Sequence, residues 1–379
     1  MGMPFSDKPN TCAGKGFSAH SAATGPLNVS LLRYLLALSI VAHHVNALTG
    51  RSWPMLFNAR MVVSLFLLLS GYYAFQSWQR RPCARHYVLH RLRRLLPAYW
   101  VVVSVGAVAL CAVSALGPAD YFTSAQWWRY LACNLCLLNF LQPDLPGVFS
   151  SLPFTAVNGA LWYVKIEVLL TFLVPLLNYV GRFVPLAVRM RKHGTPLSGF
   201  SAAVLWVIVT AGLCGYILLA SAPSSTVVRY LTYPQLFLTG YLMSAFSGYL
   251  TRGYGAVVAA VCGIVPSVLF PVLFDAFGYA ALCLLVVYIT LFIDLPGINR
   301  LRPVLSTNLT YSLYLCHFPL LQLGATLTQG TKGVILGLAL TALVTPLLYY
   351  GVERPWARAH RAEKGGFSDT NITPPHINM

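Results

Sequence analysis

Two adjacent histidines, His43 and His44, lie in the same apolar segment as an arginine, Arg33. Titratable side chains are costly in hydrocarbon, so those within membrane spans generally bind or react. An imidazole can remove a proton from a hydroxyl or attack a carbonyl carbon itself. The segment therefore carries the residue types of acid–base or nucleophilic catalysis. A hydrogen-bonded histidine without a chemical role is the alternative.

The spacing separates the two histidines. His44 is eleven positions after Arg33, which is about 1100° of helical rotation, so both side chains project within roughly 20° of one face. The same spacing sets them about 16 Å apart along the helix axis. His43 points roughly 80° away from Arg33. His44 is therefore the predicted catalytic base, with His43 as the alternative ring.

Further ionisable residues lie in later apolar segments: Lys165, Glu167, Asp294 and His317. Glu167 lies near the start of a later apolar segment. The arginines and lysines between segments predict that this segment runs from the outer face of the membrane to the inner face. Glu167 would then lie at about the depth of His44. A carboxylate there would orient the imidazole and stabilise its charged form. A Lys165–Glu167 pair is disfavoured, because residues two apart point about 200° apart on a helix. Asp294 marks a segment end.

The elements that position these residues are predicted to be membrane helices. Only 9% of the 379 residues are charged and 57% are hydrophobic, with a mean hydropathy of +0.66. A soluble domain of this length needs far more charge on its surface. The net charge of +17 would suggest nucleic acid in a soluble protein. Here the cations cluster between apolar segments, so the expected surroundings are a lipid bilayer and no nucleic acid is expected.

An all-α membrane protein with about ten transmembrane helices is predicted, because ten apolar segments have the roughly 17 to 25 residues that a bilayer requires. They lie near 29–49, 60–78, 95–116, 161–180, 199–220, 229–247, 255–274, 277–294, 306–327 and 333–351. The interval 117–160 contains an apolar piece, 130–141, that is too short to span, followed by a Pro/Gly-rich run. We expect a re-entrant or interfacial segment there, between the third and fourth spans.

Most arginines and lysines fall in the segments after even-numbered spans and at the two ends of the chain. The positive-inside rule therefore predicts that both termini are cytoplasmic. Residues 1–28 form a polar cytoplasmic segment, 29–351 the transmembrane domain, and 352–379 a cytoplasmic tail expected to be disordered.

A basic cluster precedes Pro97 at the predicted cytoplasmic mouth of the third span; its members are Arg85, Arg91, Arg93 and Arg94. Guanidinium groups bind phosphate oxygens bidentately, although plain membrane topology also explains such a cluster. Phosphate-binding charge at one end and a His/Glu pair about 16 Å deeper would suit a long, thin donor such as a coenzyme A thioester. Cys133 and Cys136 form a lone C-x-x-C, so no metal site is predicted.

Six short motifs follow one another along the chain. They are Arg33 followed after ten residues by His44; Ser64-Leu-Phe-Leu-Leu-Leu-Ser70-Gly71-Tyr72; Arg91-Leu-Arg93-Arg94-Leu-Leu-Pro97-Ala-Tyr99; Trp162-Tyr-Val-Lys-Ile-Glu167; Thr310-Tyr311-Ser312-Leu-Tyr314-Leu-Cys-His317-Phe-Pro319; and Glu353-Arg354-Pro355. In type and order they resemble the acyltransferase 3 family of membrane O-acyltransferases, over nearly all of 29–356.

The resemblance implies transfer of an acyl group, usually acetyl from acetyl-CoA, to a carbohydrate hydroxyl, with the acyl-CoA as co-substrate and no bound cofactor. It implies an acceptor such as an exopolysaccharide, lipopolysaccharide, glucan or oligosaccharide, and a bacterial inner membrane location. His44 would be the base, with Glu167 as its partner, and Arg33, Arg93 and Arg94 would bind the donor. His317, Tyr314 and Trp162 would shape the cavity or bind the acceptor. Direct attack and a transient acyl-histidine are both compatible with these residues.

Two other function classes remain open from the residues. Intramembrane Arg, His and Glu also fit a proton-coupled transporter or flippase of a saccharide. No internal repeat of the kind common in carriers is apparent in the sequence. A sensor or scaffold without catalysis is the third possibility.

Overall fold

The structure, a computed structural model, describes residues 25–183, 197–220, 224–247, 279–292 and 295–357. Within these ranges the chain is helical and contains no strand. Six of the ten predicted apolar segments coincide with helices that are long and apolar enough to cross a membrane: Leu27–Thr49, Ala59–Arg80, Ala84–Val113, Trp162–Gly181, Gly199–Leu219 and Gly330–Ala357. The predicted span 255–274 and Asp294 lie outside the described residues.

The helices are labelled in chain order. They are α1 (Gly25–Thr49), α2 (Ala59–Arg80), α3 (Ala84–Ala109), α4 (Pro118–Thr123), α5 (Ala125–Leu135), α6 (Trp162–Gly181), α7 (Leu197–Leu219), α8 (Ser225–Ala245), α9 (Tyr279–Phe292), α10 (Arg302–Leu305), α11 (Thr310–Leu327) and α12 (Gly330–Leu348). A short π-helical turn, Tyr349–Glu353, follows α12. Helix α3 begins well before the apolar segment predicted at 95–116, so the basic cluster is part of the helix.

The described residues fall into two compact units. One contains residues of Met1–Val29, Ser64–Val88 and Leu170–Leu301, and we call it the companion unit. The other contains residues of Ser30–Val63, Leu89–Leu169 and Arg302–Met379, and we call it the site unit because the predicted catalytic, donor-binding and cavity residues belong to it.

In the companion unit, α2 and α8 touch at two glycines. A Cβ atom on Gly71 would lie 1.9 Å from the Phe237 carbonyl oxygen, and one on Gly240 would lie 2.0 Å from the Leu68 carbonyl oxygen. Both distances are far shorter than van der Waals contact, so the two backbones meet where side chains are absent. Small residues allow this close approach in membrane helices.

In the site unit, α11 and α12 form a hairpin that is equally close. A Cβ atom on Gly324 would lie 2.5 Å from the Gly337 nitrogen, and one on Gly337 would lie 2.8 Å from the Leu321 Cα atom. Gly330 begins α12 with a φ of +65°, a left-handed conformation that glycine adopts without strain. The hairpin therefore packs one side of α11 directly against the backbone of α12.

Residues 136–161 connect α5 to α6 without a long helix and pack against α11. The Asn158 side chain donates to the Leu315 carbonyl at 2.8 Å, and the Gln322 side chain donates to the Ala156 carbonyl at 2.9 Å. The Tyr314 hydroxyl donates to the carbonyl of Ala160. Side-chain hydrogen bonds with α11 thus satisfy polar groups of an irregular segment, as burial away from water requires.

The glycine contact of the companion unit leads to a stability prediction. Gly240→Ala places a methyl group against the Leu68 carbonyl, so we expect a clear fall in the thermal unfolding midpoint of the detergent-solubilised protein. Gly215→Ala in α7 is the matched control, because a Cβ atom there meets nothing within 4 Å. Ala is better than Gly by roughly 0.5–1 kcal/mol inside a helix, so the control should be neutral or slightly stabilised. Equal midpoints for the two variants would contradict the close crossing.

Candidate active site

The centre of the candidate site is a direct bond between two histidines. His44 Nδ1 of α1 lies 2.7 Å from His317 Nε2 of α11. The two ring planes differ by 27° and their centroids are 4.9 Å apart. Because the nitrogens are much closer than the ring centres, the rings meet edge to edge, as a hydrogen bond requires, and not face to face.

The two rings differ in access. His317 is completely buried, with 0% of its surface exposed, whereas His44 is only partly buried. The other nitrogen of His317, Nδ1, lies 2.8 Å from the Tyr314 carbonyl oxygen and 3.1 Å from that of Leu313. Both nitrogens of His317 are therefore used within the protein, while His44 keeps Nε2 for another partner.

Aromatic and histidine rings surround His44. The Phe318 ring meets it edge-on, with centroids 4.9 Å apart and an interplanar angle of 88°. Gly159 makes room for Phe318, since a Cβ atom there would lie 3.0 Å from the Phe318 Cζ atom. The neighbouring His43 ring is tilted by 58° from that of His44.

Glu167 forms a second polar group. Its carboxylate accepts a hydrogen bond of 2.5 Å from the Tyr163 hydroxyl and lies 3.6 Å from Arg91 Nη1. The side chains of Arg91 and Glu167 are only 14% and 12% exposed, so the ion pair is shielded from water. Lys165 instead places its ammonium 4.4 Å from the centre of the Phe140 ring. The disfavoured Lys165–Glu167 pair is thus not formed.

The position of Glu167 along the helices differs from the predicted depth. The chain runs antiparallel to α11 as it enters α6, because Ala156 pairs with Gln322 whereas Ala160 pairs with Tyr314. Glu167 lies five residues beyond the start of α6, about 7 Å further by helical rise and away from His317.

The reason for this difference is where α6 begins. The prediction that Glu167 lies at the depth of His44 assumed that α6 starts at a membrane surface. Residues 136–161 instead bring the first turn of α6 beside Tyr314, which is part of α11. In the described part of the chain, His44 therefore hydrogen-bonds to His317 and not to Glu167.

Arg33 lies toward the same end of α11 as Glu167. Its neighbour Tyr34 donates a hydrogen bond to the Thr307 carbonyl and accepts one of 3.1 Å from the Leu309 N–H, just before α11 begins. Arg33 and His44 are on the single uninterrupted helix α1, so the rise of about 16 Å between them stands. The charged residues and the histidine pair thus occupy different levels of the site unit.

The predicted donor-binding residues Arg93 and Arg94 are exposed. Glu353 lies near Arg94, which acts on it electrostatically, and accepts a hydrogen bond of 2.8 Å from the Ser312 hydroxyl. Arg91, by contrast, is partly buried and paired. Helical phase does not predict this difference, because Arg91 and Arg94 are three residues apart and share a helix face, yet only Arg91 is partly buried.

Tyr314 and Trp162, predicted to shape the cavity, lie close to the same turn. Tyr314 bonds through its hydroxyl to Ala160, and its ring lies 6.0 Å from that of Tyr163. Trp162 begins α6 and meets the Tyr163 ring edge-on. Both therefore lie near the start of α6, at a level between the Arg91–Glu167 pair and the histidines.

A cavity of about 190 Å³ lies beyond His44 along α1, on the side away from Arg33; its lining includes Val45, Leu48, Leu321, Val334 and Arg51. Arg51 donates a hydrogen bond of 2.7 Å to the Thr331 hydroxyl. Among the residues that the structure describes, no group of three or more His, Cys, Asp or Glu side chains is placed to hold a metal ion.

The geometry presents a base or nucleophile at one level and shielded cations at another. A family model described as an acyltransferase domain matches residues 27–352, a range that contains both histidines of the pair and all the predicted catalytic and donor-binding residues. No curated protein and no solved structure matches the chain significantly. Because the match covers most of its length, the chain belongs to the acyltransferase 3 family.

Proposed function

We propose that this membrane acyltransferase moves an acyl group, most readily acetyl, from a coenzyme A thioester to a hydroxyl of a surface or exported carbohydrate. The observation that carries the proposal is the bond between His44 and His317. It uses the Nδ1 atom of a partly exposed imidazole and leaves the opposite nitrogen, Nε2, for a substrate. Such a ring can act on a substrate that the completely buried His317 cannot reach.

In the proposed reaction, His44 takes the proton of the acceptor hydroxyl while the hydroxyl oxygen attacks the thioester carbonyl carbon. The carbon–sulfur bond then breaks, and the departing sulfur receives the proton to give the free thiol. The same nitrogen could first attack the carbonyl itself and pass the acyl group on through an acyl-histidine. Both routes use the same residue and give the same products.

The part of the site unit that carries Arg33, Arg91 and Glu167 would hold the donor. Exposed Arg93 and Arg94 would bind the phosphates of coenzyme A. Arg33 and the Arg91–Glu167 pair would contact the polar arm, since Arg33 and Glu167 lie toward the same end of α11. The distance of about 16 Å from Arg33 to His44 then allows the thioester to reach His44. Glu167 would act by holding Arg91, which differs from the role as partner of His44 predicted from the sequence.

The acceptor would approach from the opposite side, through the cavity beyond His44. An exopolysaccharide, a lipopolysaccharide, a glucan or an oligosaccharide would each offer the hydroxyl. This arrangement fits a bacterial inner membrane with ten spans and both termini in the cytoplasm, where acyl-CoA is made. Residues 136–161 would be re-entrant in that topology, since they pack midway along α11 and have side-chain partners for their backbone.

The first test is acyl transfer itself. Membrane vesicles containing the protein, supplied with radiolabelled acetyl-CoA, should transfer label to an envelope glycan fraction, and His44→Ala should lower the rate about 10²- to 10⁴-fold, the usual contribution of a general base. His43→Ala, a matched change of the neighbouring ring, should leave the rate within a few-fold. Uptake of saccharide without acylation would instead support a carrier. Loss of activity in His43→Ala alone would assign the catalytic role to His43 instead of His44.

The second test separates the two roles considered for Glu167. Glu167→Gln keeps an acceptor for the Tyr163 hydroxyl but removes the charge that holds Arg91. A hydrogen bond to a charged group contributes about 1.5–3 kcal/mol, so we expect the KM for acetyl-CoA to rise about tenfold or more with little change in kcat. Lys165→Gln on the same helix is the control and should leave KM unchanged. A large fall in kcat at unchanged KM would place Glu167 in the chemical step.

The third test concerns the exposed arginines. Arg93→Ala combined with Arg94→Ala should weaken binding of coenzyme A and reduce its dependence on ionic strength, because exposed charges are screened by salt. Arg80→Ala combined with Arg81→Ala removes the same charge at two other exposed positions and serves as the control. Equal affinity for coenzyme A in both double variants would leave Arg93 and Arg94 as topology signals only.

A further inference from the structure

We propose that His317 is a positioning residue that fixes the tautomer of His44 and thereby makes Nε2 of His44 the reacting atom. This inference rests on the proposed role of His44 in acyl transfer. It replaces the expectation that His317 shapes the cavity or binds the acceptor, because both of its nitrogens bond within the protein and its surface is completely buried.

The proton positions follow from the partners of each nitrogen. His317 Nδ1 faces the carbonyl oxygens of Tyr314 and Leu313, and a carbonyl oxygen can only accept a hydrogen bond. The proton of neutral His317 is therefore on Nδ1, which leaves a lone pair on its Nε2. That nitrogen must accept, so His44 Nδ1, 2.7 Å away, is the donor.

This assignment determines the state of His44. A neutral imidazole carries one N–H, and His44 uses it toward His317. Its Nε2 then has a free lone pair and can accept a proton from a hydroxyl or attack a carbonyl carbon. The other tautomer would place the proton on the nitrogen that faces the substrate, where it could do neither.

The same bond supports the charged state formed during reaction. When Nε2 of His44 accepts the hydroxyl proton, the ring becomes an imidazolium and its Nδ1–H bond to His317 becomes charge-assisted and stronger. The Nδ1 proton stays on His44 throughout, and the proton on Nε2 leaves with the departing thiol. The carbonyls of Leu313 and Tyr314, through His317, thus provide the orientation that a carboxylate provides in a Ser-His-Asp triad.

Packing keeps the pair in register. Phe318, next to His317, meets the His44 ring edge-on and occupies space left open by Gly159. Tyr314 donates its hydroxyl to Ala160 while its carbonyl accepts from His317. The turn that sets the tautomer of His317 is therefore anchored to residues 136–161.

The test compares two substitutions of His317 that differ in whether they can accept a hydrogen bond. Gln can present its amide oxygen toward His44 Nδ1, whereas Leu has a similar apolar bulk and no acceptor. We expect His317→Leu to lower kcat by at least about 10²-fold, since a wrong tautomer costs about 10⁴-fold in a serine protease. His317→Gln should retain activity within about tenfold of the unmodified protein, and the KM for acetyl-CoA should change little in both. Membrane accumulation and melting midpoints show whether each variant is folded.

A spectroscopic measurement tests the tautomer without relying on activity. In protein labelled with ¹⁵N-histidine, solid-state NMR distinguishes protonated from unprotonated ring nitrogens, and His44→Gln identifies the signals of His44. We expect a protonated Nδ1 and an unprotonated Nε2 for His44 in the unmodified protein, and loss of this preference in His317→Leu.

The outcomes separate this inference from the proposed function. A protonated Nε2 on His44 in the unmodified protein would overturn the inference even if acylation is observed. Equal kcat for His317→Leu and the unmodified protein would overturn it as well. If the unmodified protein acylates no glycan, the proposed function fails, whereas the NMR result still decides the tautomer.

Discussion

Backbone polar groups away from water must find partners within the protein, and the site unit meets this constraint through α11. Residues 136–161 lack a long helix, and they exchange hydrogen bonds with Tyr314, Leu315 and Gln322 of α11. The same helix carries His317 between two of these contacts. Anchoring the irregular segment therefore also sets the position of the ring that holds His44, so the fold of the segment and the geometry of the site depend on one helix.

Glycines allow this arrangement because they remove side chains at the points of closest approach. Gly324 and Gly337 bring α11 and α12 into backbone contact, which closes one side of α11 and leaves other sides for α1 and the irregular segment. Gly159 has a different task, since it leaves space for the Phe318 ring against His44. A side chain at any of these positions would have to displace backbone or an aromatic ring, and well-packed interiors yield little to such changes.

The parts of the site that lie on one helix could be predicted from the sequence. The relation of Arg33 to His44 needed only helical phase and rise, and α1 runs unbroken through both. The depth of Glu167 could not be predicted in this way, because it depends on where α6 begins, and an irregular segment has no period from which to read its path. The partnership of His44 with His317 joins positions 273 residues apart. Motifs indicate that both residues matter, but only packing of α1 against α11 shows that they touch.

The two levels of the site unit also differ in how they carry charge, and the difference has a physical reason. A carboxylate shielded from water needs a cation beside it, and Arg91 is that cation for Glu167. Removing one partner of a buried ion pair typically costs about 3–5 kcal/mol. Two neutral histidines need no such counterion at rest, since each polar nitrogen that faces the interior has a hydrogen-bond partner. Charge then arises at His44 only when a proton is taken up. The Arg91–Glu167 pair thus lies at the level where an anionic donor would bind, and the histidine pair stays neutral until a substrate proton arrives.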